Sequence, residues 1–258
     1  LRQSGQFHNN EKVIDRVMDS NALEKERGIT ILSKCTSIDW KNIRINIVDT
    51  PGHADFGGEV ERILNMVDGV MLLVDAAEGP MPQTKFVLTK ALNQNLNPIV
   101  LINKVDRSDQ RATEVLNDIF DLFIALDAND KQLDFPVLYS SAKNGWASND
   151  PDTTGQDMEV LLEKIVGHIP PPDADPNGPL KMLVTSLERD PYLGRVLTGR
   201  INSGSIQTNQ KVKSIDRTGK LVEKTRITKL LNFRGLERTA IKEAFAGDII
   251  AIAGFELA

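Results

Sequence analysis

Ile99-Val100-Leu101-Ile102-Asn103-Lys104-Val105-Asp106 is the stretch that decides the fold. Four apolar residues, three of them β-branched, run straight into a polar Asn-Lys-X-Asp word. A short apolar run bounded by turn residues suits a strand buried on both faces, and such strands belong to parallel sheets covered by helices. The polar word then falls at the strand's carboxyl end, where open α/β sheets bind their ligands.

Outward from this stretch the same alternation repeats. Ile43 to Val48, ending at Asp49, Gly69 to Val74 and Val137 to Tyr139 read as further strands. Between them apolar residues recur at helical spacing: Val60, Ile63, Leu64, Val67; Val115, Ile119, Leu122, Phe123, Leu126; and Leu161, Leu162, Ile165, Val166. Strand and helix in alternation predict a doubly wound, mostly parallel α/β sheet over residues 1–172.

Prolines then break the pattern. Ile169-Pro170-Pro171-Pro172-Asp173 and Asp175-Pro176-Asn177-Gly178-Pro179 lack backbone donors and disfavour helix, so residues 173–179 read as a stiff linker. Over residues 180–258 short β segments follow: Leu180 to Leu187, Gly194 to Ile201, Gln210 to Ile215, Lys224 to Leu231 and Asp248 to Ala253, separated by Gly, Asn and Asp turns. They predict a small β-barrel. Within it, Gly194-Arg-Val-Leu-Thr-Gly199-Arg200-Ile201 has the glycine spacing of a phosphate loop, but Arg200 and Ile201 replace the lysine and hydroxyl residue that chemistry needs, so it reads as barrel strand.

Composition sets the outer bounds. The 258 residues are 40% hydrophobic and 26% charged, ordinary for a globular chain without a disorder signature. The single cysteine, Cys35, cannot form an internal disulfide, in keeping with a reducing, cytoplasmic setting. The longest apolar runs, such as Val70 to Val74, fall far short of the roughly 20 residues that cross a bilayer, so no membrane partner is expected. Of the net charge of −5, residues 1–172 carry −9, with 17 basic against 26 acidic side chains, and residues 173–258 carry +4. Any contact with nucleic-acid phosphates is therefore expected from the back half.

Three words fall in a fixed order: Asp49-Thr50-Pro51-Gly52-His53, Asn103-Lys104-Val105-Asp106 and Ser141-Ala142-Lys143. Asp49, at a strand's end, can reach a Mg²⁺ ion beside a triphosphate. Gly52 lets the backbone approach the terminal phosphate. His53 can orient an attacking water; a turn histidine bonded to backbone is the alternative, and the surrounding pentapeptide weighs against it. The Asp106 carboxylate can accept from guanine's ring N–H and exocyclic amine, a pair adenine lacks. Asn103 can brace the loop, and the Lys104 stem can lie over the base with its charge in water. At Ser141-Ala142-Lys143 a small residue lets a backbone N–H reach the guanine carbonyl oxygen. Upstream, Thr30 can coordinate Mg²⁺ and the terminal phosphate, making Met18 to Ile31 a nucleotide-dependent switch; a solvated helix face carrying Glu24 to Arg27 is the alternative. The expected ligands are GTP or GDP and Mg²⁺.

Taken together, Arg27-Gly28-Ile29-Thr30, Asp49 to His53, Asn103 to Asp106 and Ser141 to Lys143 resemble the translational GTPases, the group of elongation factors Tu and G. Val48 to Arg62, with Glu78 to Thr84, looks most like the BipA/TypA family, and Gly235 to Arg238 and Ala246 to Ile249 match in the barrel. The resemblance implies a cytoplasmic GTPase that binds the ribosome in its GTP form, supports large-subunit assembly and growth under cold or stress, and uses His53 when ribosomal RNA positions it. It implies a barrel facing the small subunit and no DNA partner. No G-x-x-x-x-G-K-[ST] occurs between Leu1 and Ala258. The resemblance therefore puts the first strand and phosphate loop before Leu1 and further domains after Ala258. Weak nucleotide binding by this stretch alone, and unpaired strand edges, are expected. A metabolic GTPase of the sulfate-activating type, another factor of the elongation factor G or Tu class, and a non-catalytic module on the same fold remain as alternatives.

Overall fold

The computed structural model of the chain describes residues 33–51, 57–235 and 237–258. They divide into two units, one of Ser33–Asp49 with Pro172–Ala258 and one of Thr50–Pro171.

The first unit opens with a hairpin, β1 (Lys34–Trp40) and β2 (Ile43–Asp49), paired in antiparallel register from Trp40 opposite Ile43 to Lys34 opposite Asp49. Lys41 and Asn42 both hold positive φ, 45° and 66°, the turn that matches strand twist. Thr36, Ser37 and Ile38 are buried. The Thr36 and Ser37 hydroxyls donate to the carbonyls of Gly235 and Phe233, and the Gly235 N–H donates to Ser37 O at 3.3 Å. The strand expected at Ile43 to Val48 is present, and among the described residues its strand partner is β1 rather than one of the parallel strands. The hydroxyls of β1 find their acceptors on the barrel, which satisfies polar groups that burial would otherwise leave costly.

The second unit follows in chain order: α1 (Gly57–Leu64), β3 (Gly69–Asp75), α2 (Pro82–Asn93), β4 (Asn97–Asn103), α3 (Ala112–Ala125), α4 (Asp130–Leu133), β5 (Val137–Ser141), β6 (Trp146–Ser148) and α5 (Glu159–His168). The sheet order is β3-β4-β5-β6, parallel through β5, with β6 antiparallel at the edge. Central β4 is apolar and buried from Pro98 to Ile102, as a strand with helices on both faces must be. On α3 the residues Val115, Ile119 and Phe123, four apart, are fully buried and pack with Leu88, Val100, Ile102 and Tyr139. On the other face Leu101, Leu138, Ala147 and Leu161 form a second cluster. Helix α2 was not among the helical patterns read above. Pro82 starts it, Thr84 Oγ1 accepts from the Met81 N–H at 3.2 Å, and Leu88, Ala91 and Leu92 are its buried stripe.

The first unit resumes with β7 (Lys181–Asp190), β8 (Gly194–Ser203), β9 (Ser205–Gln207), β10 (Lys211–Ile215), β11 (Leu221–Arg226), β12 (Lys229–Arg234), β13 (Glu237–Ile241), β14 (Glu243–Phe245) and β15 (Ile249–Phe255). A five-stranded antiparallel sheet, β13-β12-β15-β8-β7, and the pairs β9–β14 and β10–β11 enclose Leu197, Ile201, Ile206, Ile227, Leu230 and Ile250. Lys224 to Leu231, expected as one strand, is two. At the corner the Ile227 N–H bonds Gln210 O at 3.1 Å while the Thr228 N–H bonds Ala253 O at 2.9 Å, so the chain changes partners there. The phosphate-loop look-alike lies within β8, where a Cβ on Gly199 would stand 1.9 Å from Leu183 O. That glycine serves close strand packing.

Candidate nucleotide-base site

Three parallel strands deliver their carboxyl ends to one edge of the second unit. The registers Asp75↔Asn103 and Asn103↔Ser140 put the last residues of β3 and β4 beside the penultimate residue of β5. Each apolar run ends because the next residue is polar and can leave the sheet.

Asn103 ties two of these strands together. Its Oδ1 accepts from Ser140 Oγ at 3.1 Å and from the Ala142 N–H at 2.9 Å. Its own carbonyl accepts from the Ala76 N–H at 2.8 Å. Lys104 follows with φ +68°, a left-handed conformation uncommon for a side-chain-bearing residue. The loop holds it there through Val105 N–H to Ser140 O at 3.2 Å and Arg107 N–H to Lys104 O at 3.2 Å. The Lys104 ammonium lies 2.6 Å from Asp75 Oδ2, so it is paired as well as hydrated. Burial pushes the Asp75 carboxyl up. The Lys104 ammonium and the N–H groups of Ala77 and Glu78 outweigh that and hold it below its ordinary value.

Asp106 is exposed, and one of its oxygens accepts from Asn144 Nδ2 at 3.2 Å. A carboxylate has about four acceptor positions, so a donor pair can still be received. Asn144 also donates to Ser141 Oγ at 2.9 Å, and Ser141 is fully buried. Ser141 therefore acts as a post that orients Asn144 and, through it, Asp106. Of the backbone N–H groups in this turn, that of Ala142 is engaged by Asn103. Lys143 stands exposed in the same turn.

The second unit thus brings together Asn103, Lys104, Asp106, Ser141, Ala142 and Lys143. Asp49 ends β2 in the first unit. Thr30, Gly52 and His53 lie outside the described residues. Asp75 and Asn144 were missed in the sequence. The available signals were an aspartate ending an apolar strand and an asparagine directly after the Ser-Ala-Lys word. Among the described residues no group of three His, Cys, Asp or Glu side chains converges on a metal site. A Mg²⁺ bound by one or two carboxylates plus substrate phosphates needs no such cage.

Residues 1–171 match the elongation factor Tu GTP binding domain family, and residues 194–257 match elongation factor Tu domain 2. The chain is 54% identical over 256 residues to the large ribosomal subunit assembly factor BipA of Bacillus subtilis (strain 168), covering 99% of this chain and 42% of that protein. It is also 54% identical over 254 residues to the protein of the same name from Salmonella typhimurium, covering 98% of this chain and again 42% of that one. Among solved structures it is similar to a bacterial selenocysteine-specific elongation factor, EF-Sec, with TM-score 0.71 and 26% identity over 93% of this chain and 38% of that one. This chain spans well under half the length of the curated relatives it matches. No helix among the described residues is long and apolar enough to cross a membrane.

Proposed function

This chain belongs to the elongation factor Tu GTP-binding domain family, and from that premise we propose that it is part of a ribosome-associated GTPase acting in large-subunit assembly, which hydrolyses GTP to GDP and phosphate. The observation that carries the reading is the cluster at the ends of β3, β4 and β5, where Asp106 is exposed, braced by Asn144 and set beside Lys104. In this reading Asp106 receives the N1–H and exocyclic amine of guanine. Lys104 lays its stem along the base while Asp75 fixes its ammonium. Asn103 holds the loop closed, and the turn amides at Ala142 and Lys143 face the base carbonyl, with Asn103 competing for the first.

Toward the phosphates, Gly52 offers a backbone N–H, and Thr30 and Asp49 are the residues that would hold Mg²⁺. That ion would neutralise charge on the terminal phosphates. His53 orients the attacking water. The ribosome and its RNA are the proposed partners and the cytoplasm the proposed setting; the family names of the relatives support both. A role in growth under cold or stress rests on the resemblance alone.

The test is base exchange. In the full-length gene product, Asp106→Asn is expected to lose about 2–3 kcal/mol of guanosine-nucleotide affinity, roughly 30- to 150-fold, because a charged acceptor of two hydrogen bonds is removed. The same variant should gain affinity for xanthosine nucleotides, whose second carbonyl accepts from the new amide. Competition against a fluorescent nucleotide reads both effects, and unchanged base preference would refute the site.

A further inference from the structure

The sequence holds two Asn-Gly dipeptides, Asn144-Gly145 and Asn177-Gly178. Asparagine before glycine is the pair most open to attack on its side-chain amide by the following backbone nitrogen, because no Cβ on the second residue obstructs the approach. The two stand in different settings. Asn144 lies in the turn of residues 142–145 between β5 and β6, and its side chain is part of the base site. Asn177 lies in the proline-rich linker. Its backbone N–H is held by Asp175 Oδ1 at 3.0 Å, and its side chain takes part in no hydrogen bond among the described residues.

Three contacts hold Asn144 in an unreactive form. Its Nδ2 donates to Ser141 Oγ at 2.9 Å and to Asp106 Oδ2 at 3.2 Å. The backbone nucleophile is also engaged, since the Gly145 N–H donates to Ser141 O at 2.8 Å. Ring closure requires that nitrogen to be free and the Asn144 amide carbon to swing onto it, so all three bonds must break together. Asn144 is nonetheless exposed and its turn stands outside the sheet, so opening is a local event that leaves the strands in place.

We propose that Asn144 is a deamidation site which bound guanine nucleotide protects, and whose reaction closes the pocket to guanine. The proposal rests on the guanine-site reading above. In the opened turn the Gly145 nitrogen, its proton lost to solvent base, bonds to Asn144 Cγ. The Cγ–Nδ2 bond breaks and the nitrogen leaves as ammonia, taking a proton from water, which leaves a cyclic imide. Water then adds to one of the two ring carbonyls. Breaking the bond from Cγ to the ring nitrogen gives aspartate, and breaking the main-chain bond gives isoaspartate.

Either product replaces a donor amide by a carboxylate. The lost donor stood 3.2 Å from Asp106 Oδ2, so two like charges face each other where a hydrogen bond had been. Asp106 then turns from the position in which it receives both N–H groups of guanine. The isoaspartyl product also lengthens the main chain of the turn by one carbon, which displaces the Gly145 N–H from Ser141 O. Bound guanine opposes the reaction because it occupies Asp106 and the turn amides. A ligand that binds the closed turn alone lowers the open population about 100-fold at 100 times its Kd. The linker dipeptide makes no contact with the base site and feels none of this.

The experiment incubates the full-length gene product at mildly alkaline pH without nucleotide, with GDP at about 100 times its Kd, and with ADP at the same concentration. Peptide mapping then follows mass and isoaspartate content at residues 144 and 177 separately. Asn177 should convert equally under all three conditions. Asn144 should convert without nucleotide and with ADP, and about 100-fold more slowly with GDP. GDP binding by the aged protein should fall in step with conversion at 144. Asn144→Asp should weaken GDP binding from the outset by about tenfold or more, as expected for losing a hydrogen bond to a charged group, while Asn177→Asp should leave it unchanged. Equal conversion at Asn144 with and without GDP, no conversion there while Asn177 reacts to completion, or native GDP affinity in Asn144→Asp would each overturn the proposal. Any of these beside a loss of guanine preference in Asp106→Asn would sink it alone. A native protein without guanine preference would sink the functional reading, and this proposal with it.

Discussion

At the residue scale the site turns on Asp75 and its ion pair with Lys104. The depressed Asp75 carboxyl is a source of stability that is fully present above the ordinary carboxylate value, near pH 4, and is lost as pH falls below it. Lys104 is about half exposed, so solvent screening keeps the pair near 1 kcal/mol. Asp75→Asn is therefore expected to lower stability by about that amount at pH 7 and to abolish the part of the acid-side loss that Asp75 causes. Urea melts at pH 7 and pH 3.5 check it; an equal drop in both proteins would remove Asp75 from the account. Asn103, Lys104, Asp106 and Ser141 were legible because they are contiguous with strand ends, so a short word carries both residue type and position. Asp75 was not, because it reaches Lys104 only through the β3–β4 register, and Asn144 was not, because a tight turn folds it back onto Asp106. That Asn103, the brace of its own loop, also takes the Ala142 amide was not legible, because the two loops meet only through the β4–β5 register.

At the scale of elements, periodicity found the strands whose whole length is apolar and the helices with a wide apolar stripe. Helix α2 escaped because its buried residues cluster in the last half, Leu88, Ala91 and Leu92, behind polar Gln83, Thr84 and Lys85. The β11–β12 corner escaped because apolar alternation runs through Ile227 without a glycine or proline to mark it. Strand β8 separates glycine spacing from glycine function. Gly199 faces the Leu183 carbonyl with no room for a methyl group, whereas Gly194, at φ +73°, stands in open space. Gly199→Ala should then cost the barrel about 2–3 kcal/mol through forced backbone shifts. Gly194→Ala should cost only about 1 kcal/mol, the penalty of a left-handed conformation. Neither should alter nucleotide affinity. Denaturant midpoints rank the two, and a nucleotide defect confined to these variants would revive the phosphate-loop reading.

At the scale of the whole molecule, the boundary between units falls at Pro171 and Pro172, inside the proline run that breaks the sequence pattern. The grouping of Ser33–Asp49 with the barrel was not legible, since it depends on where two hydroxyl donors find carbonyls nearly 200 residues away. Among the described residues β3 has one strand partner, β4, and its other edge is open. The edge reads Gly-Val-Met-Leu-Leu-Val-Asp, has no proline or lysine, and exposes Met71 and Leu73 at 46% and 55%. Edges of this kind template pairing between chains unless a charge blunts them. At pH 7 the net charge of −5 opposes association; near the isoelectric point of about 5.4 that repulsion vanishes. Light scattering should therefore rise most steeply close to pH 5.4. Leu73→Lys, on a side chain already more than half exposed, should suppress it without loss of thermal stability. Scattering by the variant equal to that of the native chain at its own isoelectric point would assign the association to another surface.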